Sequence, residues 1–252
     1  MTAASAKLKI PEQLRPFLSS IGRLGDTMRL PAYAVGGCVR DWVLGTGVTP
    51  DIDVTVEGEG IALARAAAQA LGAPVTVHEQ FGTATLVLEG VPGTPARQID
   101  VASCRKETYA EPAAYPRVMP GTLEEDLFRR DFTINAMAMA LSPGRFGALI
   151  DPFGGVQDLK RKRLRILHAR SFEDDPSRIL RGIRFAERFA LAWEPATERA
   201  LRAAVDSGVL ARLNAGRFRK ELEHMSEESD PLKCLRVLAG VLHGAGDRAR
   251  SA

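Results

Sequence analysis

Two carboxylates with one residue between them, in Asp51-Ile-Asp-Val54, are the part of this 252-residue chain best suited to chemistry. Side chains alternate along a strand, so both carboxylates point to one face and Ile52 to the other. Like charges so placed repel unless a cation neutralises them. Oxygen-only ligands of this kind suit Mg²⁺, with water and substrate phosphates completing its shell. Upstream, Tyr33-Ala-Val-Gly-Gly-Cys-Val-Arg-Asp-Trp-Val-Leu-Gly45 reads as a short strand, a glycine turn and a short helix closed by Gly45. Gly36 and Gly37 let backbone N–H groups approach a phosphate, the helix start favours an anion, and Arg40 adds a cation. One stretch therefore offers a phosphate cradle, a cation and a divalent-metal site.

Two further charged stretches follow. Leu123-Glu-Glu-Asp-Leu-Phe-Arg-Arg-Asp-Phe-Thr-Ile-Asn-Ala-Met137 begins with three acids and carries Arg129 and Arg130 at the end of a short helix, a distribution that suits the helix dipole. Ile134 to Leu141 is nearly all apolar and reads as a core helix. In Ser171-Phe-Glu-Asp-Asp-Pro-Ser-Arg-Ile-Leu-Arg-Gly-Ile-Arg-Phe-Ala-Glu-Arg188, Asp174 or Asp175 caps a helix whose first turn tolerates Pro176. Asp175, Arg178, Arg181, Arg184 and Arg188 are spaced 3, 3, 3 and 4 apart, which places them on one helical face. Taken alone, such a stripe is a surface helix that complements its own dipole.

The combined pattern G-G-x-V-R-D-x-x-L-G followed by D-x-D-V resembles the signature of the class II CCA-adding enzymes and their bacterial poly(A) polymerase relatives. That family shares a DNA polymerase β-like head. Residues 123–136 are similar to its L-E-E-D-L-x-R-R-D-F-T-I-N-A segment, Ile150–Gly155 to its D-P-[FY]-G-G connector, and 174–185 to its [ED]-D-x-x-R-x-x-R-x-x-R-F motif. The resemblance covers about residues 30–225. It implies Asp51 and Asp53 as Mg²⁺ ligands, and Gly36, Gly37 and Arg40 as holders of the triphosphate. Arg130, Asp175, Arg178, Arg181 and Arg184 would select and orient the nucleotide. Cytosine and adenine each present an exocyclic amino donor where uracil and guanine present a carbonyl. An Asp175/Arg178 pair would therefore accept CTP and ATP without a nucleic-acid template. Asp100, in the Ile99–Tyr109 stretch, is a candidate third carboxylate, with a structural acid as the alternative.

The elements that must position these residues are legible in outline. Pro11 to Leu30 has helical spacing, Ile61–Leu71 is an alanine-rich helix closed by Gly72, and 74–78, 83–88 and 97–102 read as strands, the last two joined by a Gly/Pro-rich turn at 90–95. Ala110–Gly121, rich in proline, reads as a functional loop. Beyond Ile150-Asp-Pro-Phe-Gly-Gly155 the patterning turns helical, with helices over 195–213, 215–226 and 231–242. The expected organisation is an α+β nucleotidyltransferase head at 1–150, a small mixed sheet with helices, followed by an all-α neck at 151–252. Relatives continue into helical body and tail regions that grip tRNA, and those regions are nearly absent here.

Charge follows the same division. Residues 1–159 carry 14 Lys+Arg and 18 Asp+Glu, whereas 160–220 carry 16 and 7. A basic segment beside an acidic catalytic one suits a polyanion. Cys38, Cys104 and Cys234 have neither zinc spacing nor an even count, which fits a reducing cytosol, and no stretch has the length of a signal or membrane span. The sequence thus points to a cytoplasmic, Mg²⁺-dependent enzyme adding C or A to the tRNA 3′ end, as a CCA-, CC- or A-adding enzyme. The resemblance ties the loop at 105–122 to the switch from C to A, so its retention leans toward an enzyme able to add A. A poly(A) polymerase acting on other RNA, a non-catalytic RNA-binding relative and a small-molecule nucleotidyltransferase are the alternatives.

Overall fold

The computed structural model describes residues 7–46, 51–89 and 96–249, so the turn expected at 90–95 lies outside the described residues. The chain divides into two compact units. The first runs to Lys106 and adds Val118–Arg130 and Ile134–Val156. The second takes Glu107–Arg117, Asp131–Thr133 and the chain from Gln157 onward.

In the first unit, α1 (Arg15–Met28) buries Leu18 and Ile21 on one face, the stripe that its spacing predicts. It is followed by β1 (Ala32–Val35), α2 (Gly37–Leu44), β2 (Asp51–Val56), α3 (Gly60–Leu71), β3 (Val75–His78), β4 (Thr83–Val87) and β5 (Gln98–Ser103). That order is the one the sequence pattern predicts. Then come β6 (Arg105–Thr108) and β7 (Arg117–Pro120), which pair as a two-stranded ribbon, so the proline-rich loop is partly regular. The chain continues through α4 (Leu123–Phe128), β8 (Ala138–Ala140) and β9 (Leu149–Ile150).

Seven strands form one mixed sheet in the order β3-β4-β5-β2-β1-β8-β9. β2 runs parallel to β5 and antiparallel to β1. Its central place follows from its sequence: Ile52, Val54 and Val56 are buried, while Asp51 and Asp53 face outward.

The core helix expected over Ile134–Leu141 is instead a single 3-10 turn, Thr133–Asn135, followed by strand β8. β8 lies between β1 and β9, and all three of its residues are buried. A strand covered on both faces is apolar at every position, which erases the alternation that marks a strand in sequence.

The second unit is built on helices. After α5 (Gly155–Lys160) come β10 (Arg163–Leu164), α6 (Ser171–Asp174), α7 (Ser177–Phe189), β11 (Ala192–Trp193), α8 (Pro195–Asp206), α9 (Ala215–Ser226) and α10 (Pro231–Ala249). β10 and β11 add a two-residue parallel pair to an otherwise helical unit. The helix expected to reach 213 stops at Asp206, where Gly208 turns the chain at φ 73°, and a 3-10 turn fills Val209–Arg212. The last helix runs past the expected 242.

The Asp151 carboxylate accepts from the N–H groups of Gly155 (2.7 Å) and Val156 (3.0 Å), so the D-P-F-G-G turn works as the cap that starts α5. Phe132 anchors the core, with ring centroids 6.4 Å from Phe172, 6.1 Å from Phe185 and 6.3 Å from Trp193. Such pairs add about 0.5–1.5 kcal/mol each beyond the area they bury. Only glycine fits at 182 on α7, because a Cβ there would lie 2.3 Å from the Trp193 ring and 2.8 Å from Phe132.

Candidate active site

In the first unit the site is assembled around the turn between β1 and α2. Gly36 has φ 75°, a left-handed conformation that disfavours a side chain. A side chain there would also displace Arg130: a Cβ at Gly36 would sit 2.8 Å from Arg130 Nη1 and 3.5 Å from Asp53 Oδ2. Gly36, Asp53 and Arg130 are therefore brought together from three elements. The Gly36 N–H donates to the Met137 carbonyl (3.2 Å). Any anion contact consequently falls to the first turn of α2, whose N–H groups have no intrahelical acceptor.

Asp51 and Asp53 are both exposed at the edge of β2. Burial raises the Asp53 pKa, Arg130 lowers it, and Asp100, Asp51 and Asp126 raise it, with a net upward shift. The carboxyl is open on one side and densely packed behind; the upward direction stands because three neighbouring acids reinforce it. Asp100 is the register partner of Asp53 on β5. Its oxygens accept hydrogen bonds from Thr85 Oγ1 (2.6 Å) and Gln98 Nε2 (2.9 Å). Among the described residues no three His, Cys, Asp or Glu side chains gather as a metal cage. Two carboxylates with phosphate oxygens and water are nonetheless the donor set that Mg²⁺ commonly takes.

Arg130 is held from below. Its Nη2 donates to Asp126 Oδ2 (3.0 Å), while its buried Nε has no partner among the described residues. Asp126 is fully buried, and its Oδ1 accepts from Arg129 Nε (3.0 Å) and Nη2 (2.8 Å) and from the Arg105 N–H (3.4 Å). Burial pushes the Asp126 carboxyl up, but the guanidiniums of Arg130 and Arg129 outweigh it and hold the group below the usual range. α4 is fixed at its start by a capping box between Thr122 and Glu125. Glu57, one residue beyond β2, accepts from the Leu123 N–H (3.0 Å) and the Tyr33 hydroxyl (3.2 Å). Burial, and then the Glu57 charge, push that phenol up to about 12.

Arg40 is buried behind the turn. Its Nη1 donates to Asn135 Oδ1 (2.6 Å) and its Nε to Asp41 Oδ1 (2.9 Å). Its Nη2 lies 3.5 Å from where a Cβ on Gly37 would be, so Arg40 underlies the glycine pair.

The remaining predicted residues belong to the second unit. The chain breaks between α6 and α7 at Asp175-Pro176. Asp175 Oδ1 accepts from the Ser177 N–H (3.0 Å) and Oγ (2.6 Å), which caps α7, and its Oδ2 is paired with Arg217. Arg178 is buried, donates from Nη1 to Ser171 Oγ (2.7 Å), and places Nε 4.0 Å from Asp175 Oδ2.

Arg181 and Arg184, expected to select and orient the nucleotide, are engaged within the unit. Arg181 grips Asp131 Oδ2 with Nε (2.9 Å) and Nη2 (2.7 Å) and also meets Glu221 (3.4 Å). Burial lowers its pKa, but Asp131 and Glu221 more than offset this, so its affinity for the proton rises. Arg184 meets Glu221 and Glu228, each at 3.4 Å, and lies 4.8 Å over the Phe185 ring. Arg188 is also paired with Glu228. The regular spacing along α7 thus serves, at its later positions, a ladder of ion pairs to acids on and just after α9. In the same unit the loop is tied back: the Ala113 N–H donates to the Glu173 carbonyl (2.8 Å), and Tyr109 Oη donates to Glu107 (2.8 Å).

Four residues that matter here carry little signal in sequence. Asn135 is marked only as the polar residue in an apolar run. Asp126 is one of three successive acids that a helix dipole explains equally well. Asp131 and Glu221 carry no local mark, because their partner Arg181 is 50 and 40 residues away.

Residues 32–165 match the family described as the Poly A polymerase head domain. The chain is 42% identical over 233 residues to the A-adding tRNA nucleotidyltransferase of Geobacter sulfurreducens, covering 92% of this chain and 26% of that protein. It is 40% identical over 213 residues to the CC-adding tRNA nucleotidyltransferase of Deinococcus radiodurans, covering 84% of this chain and 54% of that one. Among solved structures, a CCA-adding enzyme in complex with ATP matches at a TM-score of 0.81 with 41% identity, over 92% of this chain and 52% of the other. The chain thus spans from 26% to 54% of the length of these two curated relatives.

Proposed function

Because the chain belongs to the poly(A) polymerase head-domain family, we propose that it is a template-independent nucleotidyltransferase that extends the 3′ end of tRNA, with Mg²⁺ as its cofactor. The observation that carries this reading is the meeting of Asp53, Gly36 and Arg130 at one turn. A carboxylate face beside a helix start, with the Arg130 guanidinium at the same turn, suits a metal-bound triphosphate.

Asp51 and Asp53 would hold Mg²⁺, which when bound supplies charge neutralisation at the attacking and leaving oxygens. The residues of the chain do the rest. The first turn of α2 and Arg130 bind the triphosphate and orient its α-phosphorus toward the RNA 3′-hydroxyl, with pyrophosphate leaving. Gly36 and Gly37 keep that approach open, and Arg40 supports the turn from behind. Asp175 and Arg178 read the base. Asp175 accepts from the exocyclic amino group of cytosine or adenine, and Arg178 donates to the adjacent ring acceptor. Arg181 and Arg184 contribute by fixing α7 through Asp131, Glu221 and Glu228. Residues 1–150 act as the catalytic head, and 151–252 as the helical neck that selects the nucleotide and binds RNA. An enzyme with this role would work in the cytoplasm. No helix among the described residues is long and apolar enough to cross a membrane.

The nucleotide expected is A, supported by the relatives named A-adding and by the retained loop at 105–122. The deciding experiment offers the purified chain tRNA ending before CCA, after C and after CC, with each labelled NTP in turn and Mg²⁺ present. One A added to tRNA ending in CC is the expected product. Long A tracts on unstructured RNA would favour the poly(A) polymerase reading, and no incorporation on any substrate would refute transfer by this chain.

A further inference from the structure

Arg130 has a long, flexible side chain, yet it must present its guanidinium beside Gly36 and Asp53. What fixes it is not its own backbone. Asp126, four residues earlier, is fully buried and gives one oxygen to Arg130 and the other to Arg129 and the Arg105 N–H. The carboxylate thus divides its work: Oδ1 ties α4 to the chain at Arg105, and Oδ2 aims Arg130. With Nη2 engaged by Asp126, Nη1 lies beside Gly36 and the unpartnered Nε stays buried, so the guanidinium is anchored at one end of its fork and packed along its stem. A planar fork held this way loses little freedom when it meets an anion.

We propose that Asp126 is a positioning residue for nucleotide binding, acting solely through Arg130 to hold its guanidinium at the Gly36 turn in readiness for the triphosphate. The inference rests on the activity proposed above, since it specifies how that site is pre-organised. Asp126 itself, fully buried, touches no substrate. Its removal frees Arg130 to swing away, weakening the ground-state hold on the triphosphate; KM for ATP rises more than kcat falls.

A role only in folding would equally make Asp126 indispensable, so the test is a double-mutant cycle on ATP affinity. Dissociation constants for ATP in Mg²⁺ buffer are measured for the parent, Asp126→Asn, Arg130→Met, the double variant and Arg129→Met, each with its melting temperature. Asp126→Asn is expected to weaken ATP binding about 10- to 100-fold, the range for losing one hydrogen bond to a charged group. In the Arg130→Met background the same change is expected to have no further effect on affinity, while still lowering the melting temperature. Arg129→Met, which leaves the Arg130 hydrogen bond in place, is expected to bind ATP as the parent does.

An equal loss of affinity in both backgrounds, or a loss reproduced by Arg129→Met, would overturn the proposal. Should Asp126→Asn fail to fold, Asp126→Glu takes its place in the cycle: it keeps the charge and displaces it by one methylene, and additivity overturns the proposal in the same way. A parent chain that neither binds ATP nor transfers a nucleotide would overturn this inference together with the activity. A parent that does both, with an additive cycle, would overturn this inference alone.

Discussion

Asp53 occupies a position that folding alone would not choose. Packed atoms and three nearby acids raise its proton affinity, and Arg130 only partly offsets them. Asp53→Asn is therefore expected to abolish transfer while raising stability, by up to about 1 kcal/mol once solvent screening of so exposed a group is allowed for. Activity assays and melting curves on the same preparation check this; a variant that turns over normally with Mg²⁺ contradicts the metal assignment. Asp126 is the opposite case, an acid held below its usual range by two guanidiniums despite its burial. A depressed carboxyl contributes stability that is complete above its unfolded pKa, about 3.9, and is lost as pH falls through the lower folded value. At pH 7, Asp126→Asn is expected to cost about 3–5 kcal/mol, the range for breaking a buried ion pair. The gap to the parent should narrow below about pH 4. Denaturant titrations at pH 7 and pH 3 measure it, and an equal gap at both would contradict the linkage.

At the scale of elements, α7 carries two tasks at its two ends. Its N-terminal end holds Asp175 and Arg178 against Ser177, Ser171 and Arg217, and its later turns are locked to α9 and the residues after it through Arg181, Arg184 and Arg188. The ion-pair ladder and the Phe132 cluster make the helix a rigid mount, and a protein template must be rigid to refuse the wrong base. Arg178→Ala is expected to cost about 1–3 kcal/mol of discrimination between nucleotides, the worth of one good bidentate base contact. Asp175→Ala is expected to admit UTP and GTP and also to lose about 0.5–2 kcal/mol of stability, because the same carboxylate caps α7. Incorporation of all four NTPs and the melting temperature are read on each variant. A loss of stability with unaltered nucleotide preference in both would leave Asp175 as a cap and nothing more.

At the scale of the whole molecule, charge is segregated: the chain is acidic up to residue 159 and strongly basic over 160–220. Much of that positive charge is consumed internally, as the pairs of Arg165, Arg181, Arg184 and Arg217 illustrate. Lys160, Arg161 and Arg163 remain at the surface, as do Arg212, Arg219 and Lys220. RNA affinity is expected to fall steeply between low and physiological salt. Replacing Lys160, Arg161 and Arg163 together by Ala should weaken binding and flatten the slope of log K against log salt by about 0.7 for each single-strand phosphate that is no longer neutralised. Binding isotherms at several salt concentrations test this, and a flat response in the parent would favour a small-molecule substrate.

The sequence by itself determined the element order of the first hundred residues, because alternation and helical spacing there report faces that are buried on one side only. It also marked the glycine turn and the Asp51/Asp53 face, where local spacing alone sets direction. Tertiary structure decided the rest. Whether Ile134–Leu141 was helix or strand depended on pairing between β1 and β9 and on burial of both faces, facts absent from the run itself. That the later arginines of α7 pair with acids depended on Asp131, Glu221 and Glu228, residues distant in the chain. An ionic partner carries no periodicity, so neither Asp126 beneath Arg130 nor Asn135 beneath Arg40 could be assigned before the fold brought donor and acceptor within 3.0 Å.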